Sequence, residues 1–164
     1  MRISDRGELG DLAKTLRVLE DGKAIRRGMV REIRAAARPA QAAVKSAYQA
    51  GPSQGRGSTG LRRDLAKATT LTVRTSGRKA GATLSVKGRK MGDGRGRLPK
   101  LYEGTAAGGR WRHPLFGDRE WWFQQRPRPT FYRAVRPYAR IVERKVYEVA
   151  TDVAQSIAGK GNRV

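Results

Sequence analysis

"TTLTVRTSGRKAGATLSVKGRK", residues 69–90, is where the chain changes its period. Upstream, apolar residues return every three or four positions; here they return every second one. Leu71 and Val73 alternate with Thr72 and Arg74, and Leu84 and Val86 alternate with Ser85 and Lys87. Successive side chains of an extended strand point to opposite faces, so the alternation predicts two half-buried strands. Their β-branched residues fit, and the Gly-containing run from Ser76 to Ala80 reads as the turn between them. The expectation is an antiparallel pair over about 68–76 and 81–88.

Working back toward the N-terminus, the period is helical. Leu9, Leu12, Leu16 and Leu19 recur at helical spacing until Asp21-Gly22 breaks the run. Ile25, Met29, Ile33, Ala37, Ala40, Val44 and Tyr48 then mark one face of a longer helix, with Arg26, Arg27, Arg31, Arg34, Arg38 and Lys45 mostly on the rest of its surface. Pro39 should kink this helix or end it there, and Gly51-Pro52 stops it. Residues 51–60, GPSQGRGSTG, read as a flexible loop, from which Ser58 or Thr59 could cap a short helix over Leu61 to Lys67.

Working forward, residues 89–98, RKMGDGRGRL, hold four basic residues and three glycines and read as a mobile basic loop or arm. The run EWWFQQ, Glu120 to Gln125, has strand character and could complete the sheet, until Pro127 and Pro129 end it. Tyr138, Val142, Val146, Val149, Val153 and Ile157 set a closing helix, with Pro137 suited to its first turn and Gly159 to the position just past its end. The stretch Thr130 to Arg136 reads as a separate turn before it. The expected class is therefore α+β: N-terminal amphipathic helices, a small antiparallel β-sheet with a long arm or loop, and a C-terminal helix packed on the sheet. A length of 164 residues suits a single domain. Its parts would be an N-terminal helix or extension (1–22), a long helix (23–50), the sheet with its basic arm (61–126), the C-terminal helix (130–158) and a frayed tail (159–164).

Charge narrows the partners. The net charge is +22, and residues 61–100 hold 12 of the 36 basic residues against 2 of the 14 acidic ones. Such density favours a polyanion or an acidic protein surface as a neighbour, against the alternative of an evenly solvated basic surface. The chain has no cysteine, hence neither a disulfide nor a thiolate metal site. No stretch approaches the roughly 18–20 apolar residues of a membrane span, so no membrane partner is expected.

Catalytic chemistry finds little footing. The single histidine, His113, precedes Pro114 in an aromatic stretch and reads as a structural hydrogen-bonding group. Carboxylates are sparse, no cluster is suited to a metal, and the glycines of GDGRG do not open a helix after a strand. Neither an enzymatic activity nor a cofactor is expected. Nucleic-acid binding has more behind it: the basic residues Arg89, Lys90, Arg95, Arg97 and Lys100 suit phosphate contacts, and Trp111, Trp121 and Trp122 could stack on bases. The same aromatics serve equally as core and interface, the reading favoured here. In WWF, Trp121 and Phe123 point one way and Trp122 the other, so one face should be buried and the other covered by a partner.

The order of the short segments carries a further clue. STGLRRDL (58–65) follows the long helix, LYEGT (101–105) lies mid-chain, and QQRPRPTFYRAV (124–135) precedes the last helix, with GRWRHPLFG (109–117) and WWFQQRPRP (121–129) between. This order resembles the small tail-component, or tail-completion, family of long-tailed bacteriophages, in the version found in phages of actinobacteria. Relative to that family's pattern, Glu103 and Gly104 are adjacent, and Arg128-Pro129-Thr130-Phe131 has one extra residue.

The resemblance implies a non-enzymatic virion protein of the neck, assembled in the host cytoplasm. It implies a cyclic homo-oligomer, six- or twelve-fold, around the DNA channel, joined to connector or stopper, tail terminator and tail-tube proteins. On this expectation Trp111, Phe116, Trp121, Trp122 and Phe123 anchor the subunit or partner interface. Arg78, Lys79, Arg89, Lys90, Arg95 and Arg97 meet acidic partners or channel DNA. The alternative is a basic nucleic-acid-binding protein, for which the same basic residues would be the binding surface.

Overall fold

A computed structural model describes residues 2–3, 12, 14–17, 19, 21–51, 60–76, 80–92, 94–106, 111–115 and 118–161. The elements run β1 (Arg2–Ile3), α1 (Gly22–Ala50), α2 (Leu61–Ala68), β2 (Thr69–Arg74), β3 (Gly81–Val86), a 3-10 turn (Gly88–Lys90), α3 (Leu98–Glu103), β4 (Trp111–Leu115), β5 (Asp118–Gln125), α4 (Phe131–Val135), a second 3-10 turn (Arg136–Tyr138) and α5 (Ala139–Gly161). The fold is α+β, with the hairpin strands and the two long helices where the change of period puts them. The chain forms two compact units. Met1–Ala42, Leu71–Ser85 and Val135–Val164 make unit 1; Ala43–Thr70 and Val86–Ala134 make unit 2.

Unit 1 is an apolar core between helices and a three-stranded sheet. The sheet order is β1-β3-β2, and β1 pairs antiparallel with β3, Arg2 opposite Thr83 and Ile3 opposite Ala82. Met29, Ile33 and Ala37 of α1 meet Val142, Val146, Val149 and Ala150 of α5 in one cluster with Ala80, Ala82 and Leu16. Leu71 and Val73 pack against its edge. The alanines on the sheet side leave room for the valines of α5, the interdigitation that native packing density requires. A cavity of about 20 Å³ remains, lined by Ala37, Ala40, Leu71, Ala82, Leu84 and Val142 among others. It is roughly one probe sphere in size and its lining is apolar, so it has no partners for a water.

Where the N-terminal periodicity places a helix, Leu12 and residues 14–17 are helical and Leu16 is buried; Leu9 lies outside the described residues. The extreme N-terminus adds the short strand β1, which has no counterpart in the sequence reading. The Asp21-Gly22 break has a steric cause. A Cβ on Gly22 would lie 1.7 Å from the carbonyl oxygen of Leu16, so only glycine allows this close reversal.

Of the two outcomes expected at Pro39, a kink or an end, the helix does not end there: α1 runs through it to Ala50, as the expected span 23–50 requires. Pro39 lies on the exposed face, as does Ala35, whose carbonyl loses its helical partner there and faces solvent rather than a dry core. One expectation for the long helices is corrected. Gly159 does not stop α5, which runs to Gly161, so the frayed tail does not begin at 159. Residues 162–164 lie outside the description. Between Thr130 and α5 the chain makes the separate turn expected of it, as α4 and a 3-10 turn that starts its Arg136–Tyr138 run with Pro137 near its N-terminus.

Unit 2 contains the end of α1, where Val44 and Tyr48 are fully buried, with α2, α3 and the β4–β5 ribbon. Ser58 and Thr59 lie outside the described residues. α2 begins instead after Gly60, in the left-handed region at φ 71°, whose carbonyl accepts the Asp64 N–H. Met91, in the segment read as a mobile basic loop or arm, is buried. EWWFQQ forms a strand, but it does not complete the first sheet: β5 pairs with β4 in a separate two-stranded sheet. The partner strand was hidden in the sequence by Pro114, which demotes a strand reading. The register shift falls between Pro114 and Leu115, where the ladder is already interrupted.

Candidate functional site

The candidate site is built within unit 2, and it starts from a carboxylate. Helix α3 closes with Gly104 in the left-handed conformation at φ 72°. The Gly104 N–H donates to Leu101 O (3.2 Å) and the Thr105 N–H to Lys100 O (2.9 Å), the pair of bonds that satisfies the last carbonyls of a helix. A Cβ at residue 104 would sit 2.8 Å from Cβ of Pro127, so glycine is required twice over. Thr105 Oγ1 also donates to Lys100 O, at 3.3 Å. These bonds give Glu-Gly-Thr a structural reason.

Glu103, held by that turn, clasps three segments together. Its Oε1 accepts the Tyr48 hydroxyl at 2.8 Å. The Phe131 N–H, at the start of α4, donates to both carboxylate oxygens at 3.1 and 3.0 Å. A backbone N–H left without a helical partner at a helix start is thereby satisfied by charge. One residue earlier, Tyr102 O accepts the Arg128 N–H at 2.6 Å, and the Tyr102 ring meets Tyr48 edge-on at 5.7 Å. Burial raises the Glu103 carboxyl above its ordinary value, with the hydrogen bonds from Tyr48 and from the backbone at Phe131 and Thr130 opposing the shift. Burial, then the hydrogen bond to Glu103, raises the Tyr48 hydroxyl strongly, so it remains a donor.

The third segment meets the same helix end. The Arg62 guanidinium donates to Gly51 O and Gln49 O, the carbonyls that close α1. A cation there also complements the negative end of the helix dipole. Gly51 in turn approaches the Tyr102 hydroxyl, 3.2 Å from where its Cβ would be. Residues from each of the three segments singled out by order alone, Arg62, then Tyr102 and Glu103, then Arg128 and Phe131, thus gather about the last turn of α1. Sequence reasoning counted Tyr48 as apolar and assigned Glu103 no role. A lone Glu beside a left-handed Gly gives no signal of the N–H it will meet 28 residues later.

From this frame the β4–β5 ribbon extends. Trp111 pairs with Gln125, Arg112 with Gln124, His113 with Phe123 and Pro114 with Trp122, and Leu115 faces Asp118 beyond the bulge. Trp121 is 66% exposed and Trp122 51% exposed. As consecutive strand residues they lie on opposite faces, so each face presents an indole. The expectation that one of these tryptophans would be buried is therefore corrected. Two strands alone have no second layer to cover either face. The Arg112 guanidinium lies over the Trp122 ring at 5.9 Å, its diagonal cross-strand neighbour. The side chains of Trp111 and Phe123 are outside the described residues, as is Phe116 altogether.

The basic residues separate into two groups. Arg78 and Lys79 lie outside the described residues. Arg89 and Lys90 are exposed on the 3-10 turn, and Arg97 is exposed at the start of α3. Arg95 is committed to Asp64 of α2 in a 3.1 Å ion pair. The backbone between them is fixed by tight turns: Lys90 N–H to Lys87 O, Met91 N–H to Gly88 O, Leu98 N–H to Arg95 O. Gly88 and Gly96 touch, since a Cβ on Gly88 would fall 2.1 Å from Gly96 O. Of the loop or arm expected here, the described residues form a loop of tight turns, a knuckle.

Among the described residues no group of His, Cys, Asp or Glu could hold a metal ion, and no helix is long and apolar enough to cross a membrane. The chain matches no family model, no curated protein and no solved structure.

Proposed function

We propose that this chain is a structural virion protein of the phage head–tail interface, a tail-completion or neck component. In this reading it oligomerises around the DNA channel and joins connector to tail. The observation that carries the reading is the ribbon that leaves an indole exposed on each of its faces. A ring subunit meets two neighbours through two different surfaces. Aromatic anchors are the side chains that dominate such contacts. The Glu103 clasp supports the same reading from another side: the segments on which the family resemblance rests are those that meet in unit 2, as elements of one fold.

Alanine at both Trp121 and Trp122 should abolish incorporation into the neck while the isolated protein keeps its circular dichroism and melting temperature. Virions that carry the double change with normal tails and normal infectivity would overturn the interface assignment. A second reading, base stacking by a nucleic-acid-binding protein, is favoured by Arg112 over Trp122, a cation–aromatic pair beside an open ring. It predicts that single-stranded oligonucleotides quench tryptophan fluorescence; unchanged emission at low salt eliminates it.

A further inference from the structure

We infer that the knuckle formed by residues 87–92 and 94–97, with the exposed cations of α2, is a binding surface for the phosphate backbone of a nucleic-acid duplex. The inference decides between the two partners expected for these cations, an acidic protein or DNA, in favour of a duplex backbone, and it names a surface that needs no ring to work.

Charge and chemistry carry it. The 3-10 turn packs against α2, so the exposed cations Arg63 and Lys67 of α2 belong to the same part of unit 2 as Arg89, Lys90 and Arg97. The one apolar side chain of residues 87–97, Met91, is buried, and the rest of the segment is Lys, Arg, Gly and Asp93. A protein-binding patch has an aromatic or apolar centre and few charges at that centre. The Trp121–Trp122 ribbon fits that description and the knuckle does not. A surface of cations and glycines, without an apolar anchor, fits a partner recognised by charge alone, as a polyphosphodiester is. The shape is fixed in advance. The turn hydrogen bonds hold the backbone, and the Arg95–Asp64 ion pair ties the loop to α2. Gly92 and Gly94, in the left-handed region at φ 82° and 71°, allow the tight reversals of the backbone there. Ordering a mobile arm on binding would cost entropy, and a folded knuckle avoids that cost.

The test is fluorescence polarisation with labelled duplexes of about 20 base pairs, DNA in one arm and RNA in the other, over a series of salt concentrations. Three full-length proteins are compared: the native chain, R89Q/K90Q/R97Q, and R31Q/R34Q/R38Q. The last removes the same charge from exposed positions of α1 in unit 1. The knuckle variant should bind on the order of a hundredfold more weakly at 0.1 M salt, and its log–log salt slope should fall by about 3. The α1 variant should lose less than about tenfold. Single changes R89Q, K90Q and R97Q, each lowering the slope by about 1, carry the same prediction should the triple variant misfold. Equal losses in the two triple variants would reduce the binding to net charge and overturn the inference. So would polyglutamate competing as well as duplex DNA at equal charge, which would assign the knuckle to an acidic protein. Duplex binding that survives W121A/W122A separates this surface from the ribbon. If that binding persists while virion incorporation is normal in W121A/W122A, the neck interface fails and the knuckle stands.

Discussion

At the centre of unit 1 sits Ile33, fully buried among Met29, Val142 and Val146 of one cluster; at the centre of unit 2 sits Glu103, a carboxylate accepting hydrogen bonds from Tyr48 and Phe131. The first unit is held by non-directional burial, the second by a polar node whose members must all be present. Burial degrades gradually as atoms are removed, whereas a half-satisfied node leaves a buried donor without an acceptor. Composition alone does not explain the contrast. Unit 1 draws on the two long amphipathic helices, while the part of unit 2 beyond α1 is rich in Gly, Pro and Arg and leaves two of its largest apolar side chains, Trp121 and Trp122, exposed.

The largest effect should come from unit 1. Ile33→Ala should lower stability by about 4 kcal/mol in denaturant unfolding, through lost transfer energy and the cavity it leaves. A loss below about 1 kcal/mol would show that the helices carry the unit without this core. Next comes Glu103→Ala, about 3 kcal/mol, because the Phe131 N–H and the Tyr48 hydroxyl lose their shared acceptor. Glu103→Gln keeps a carbonyl acceptor and should cost less than half as much; equal losses would mean that charge, not hydrogen bonding, makes the clasp.

Acid sharpens the comparison. With the folded-state Glu103 raised above its ordinary 4.5, the folded protein holds this proton more tightly than the unfolded chain. The stability from this group is then fully present below pH 4.5 and lost as pH rises through the folded-state value. The Glu103→Gln protein should lack that fall, measured as the difference between the two proteins' unfolding free energies from pH 4 to 7. A native chain that instead gains stability relative to the variant over that range would contradict the burial argument. A smaller effect, about 2 kcal/mol, is expected for Gly104→Ala from the left-handed backbone and the contact with Pro127. The smallest belongs to W121A/W122A, under about 0.5 kcal/mol, since exposed side chains contribute little to folding. A large loss there would show that the indoles belong to the fold rather than to a partner.

How much of this was legible depended on the range of the interaction. Met29, Ile33, Ala37, Ala40, Val44 and Tyr48 announced α1 because helical spacing alone puts them on one face, and every one of them is buried. Val142, Val146 and Val149 did the same for α5. Pro39 left two outcomes open because a proline's effect depends on whether its turn faces water, which periodicity does not weigh. The site was less legible. Trp121 and Trp122 stand out in the sequence as interface candidates, but their joint exposure follows from β4, which Pro114 concealed. Arg89, Lys90 and Arg97 are legible as basic residues of a loop or arm, but the Gly88–Gly96 contact that shapes the loop is not.

By itself, then, the sequence determined the α+β class, both long helices and the strands β2, β3 and β5, since each of these is written in the spacing of neighbouring residues. Tertiary structure alone decided that β5 pairs with β4 rather than with the first sheet, that the basic segment folds into a knuckle, and that Glu103 joins Tyr48 to Phe131. Those outcomes depend on contacts between residues far apart in the chain. A hydrogen bond between residues 55 positions apart leaves no periodic trace in the sequence, because its geometry is set by every element folded in between.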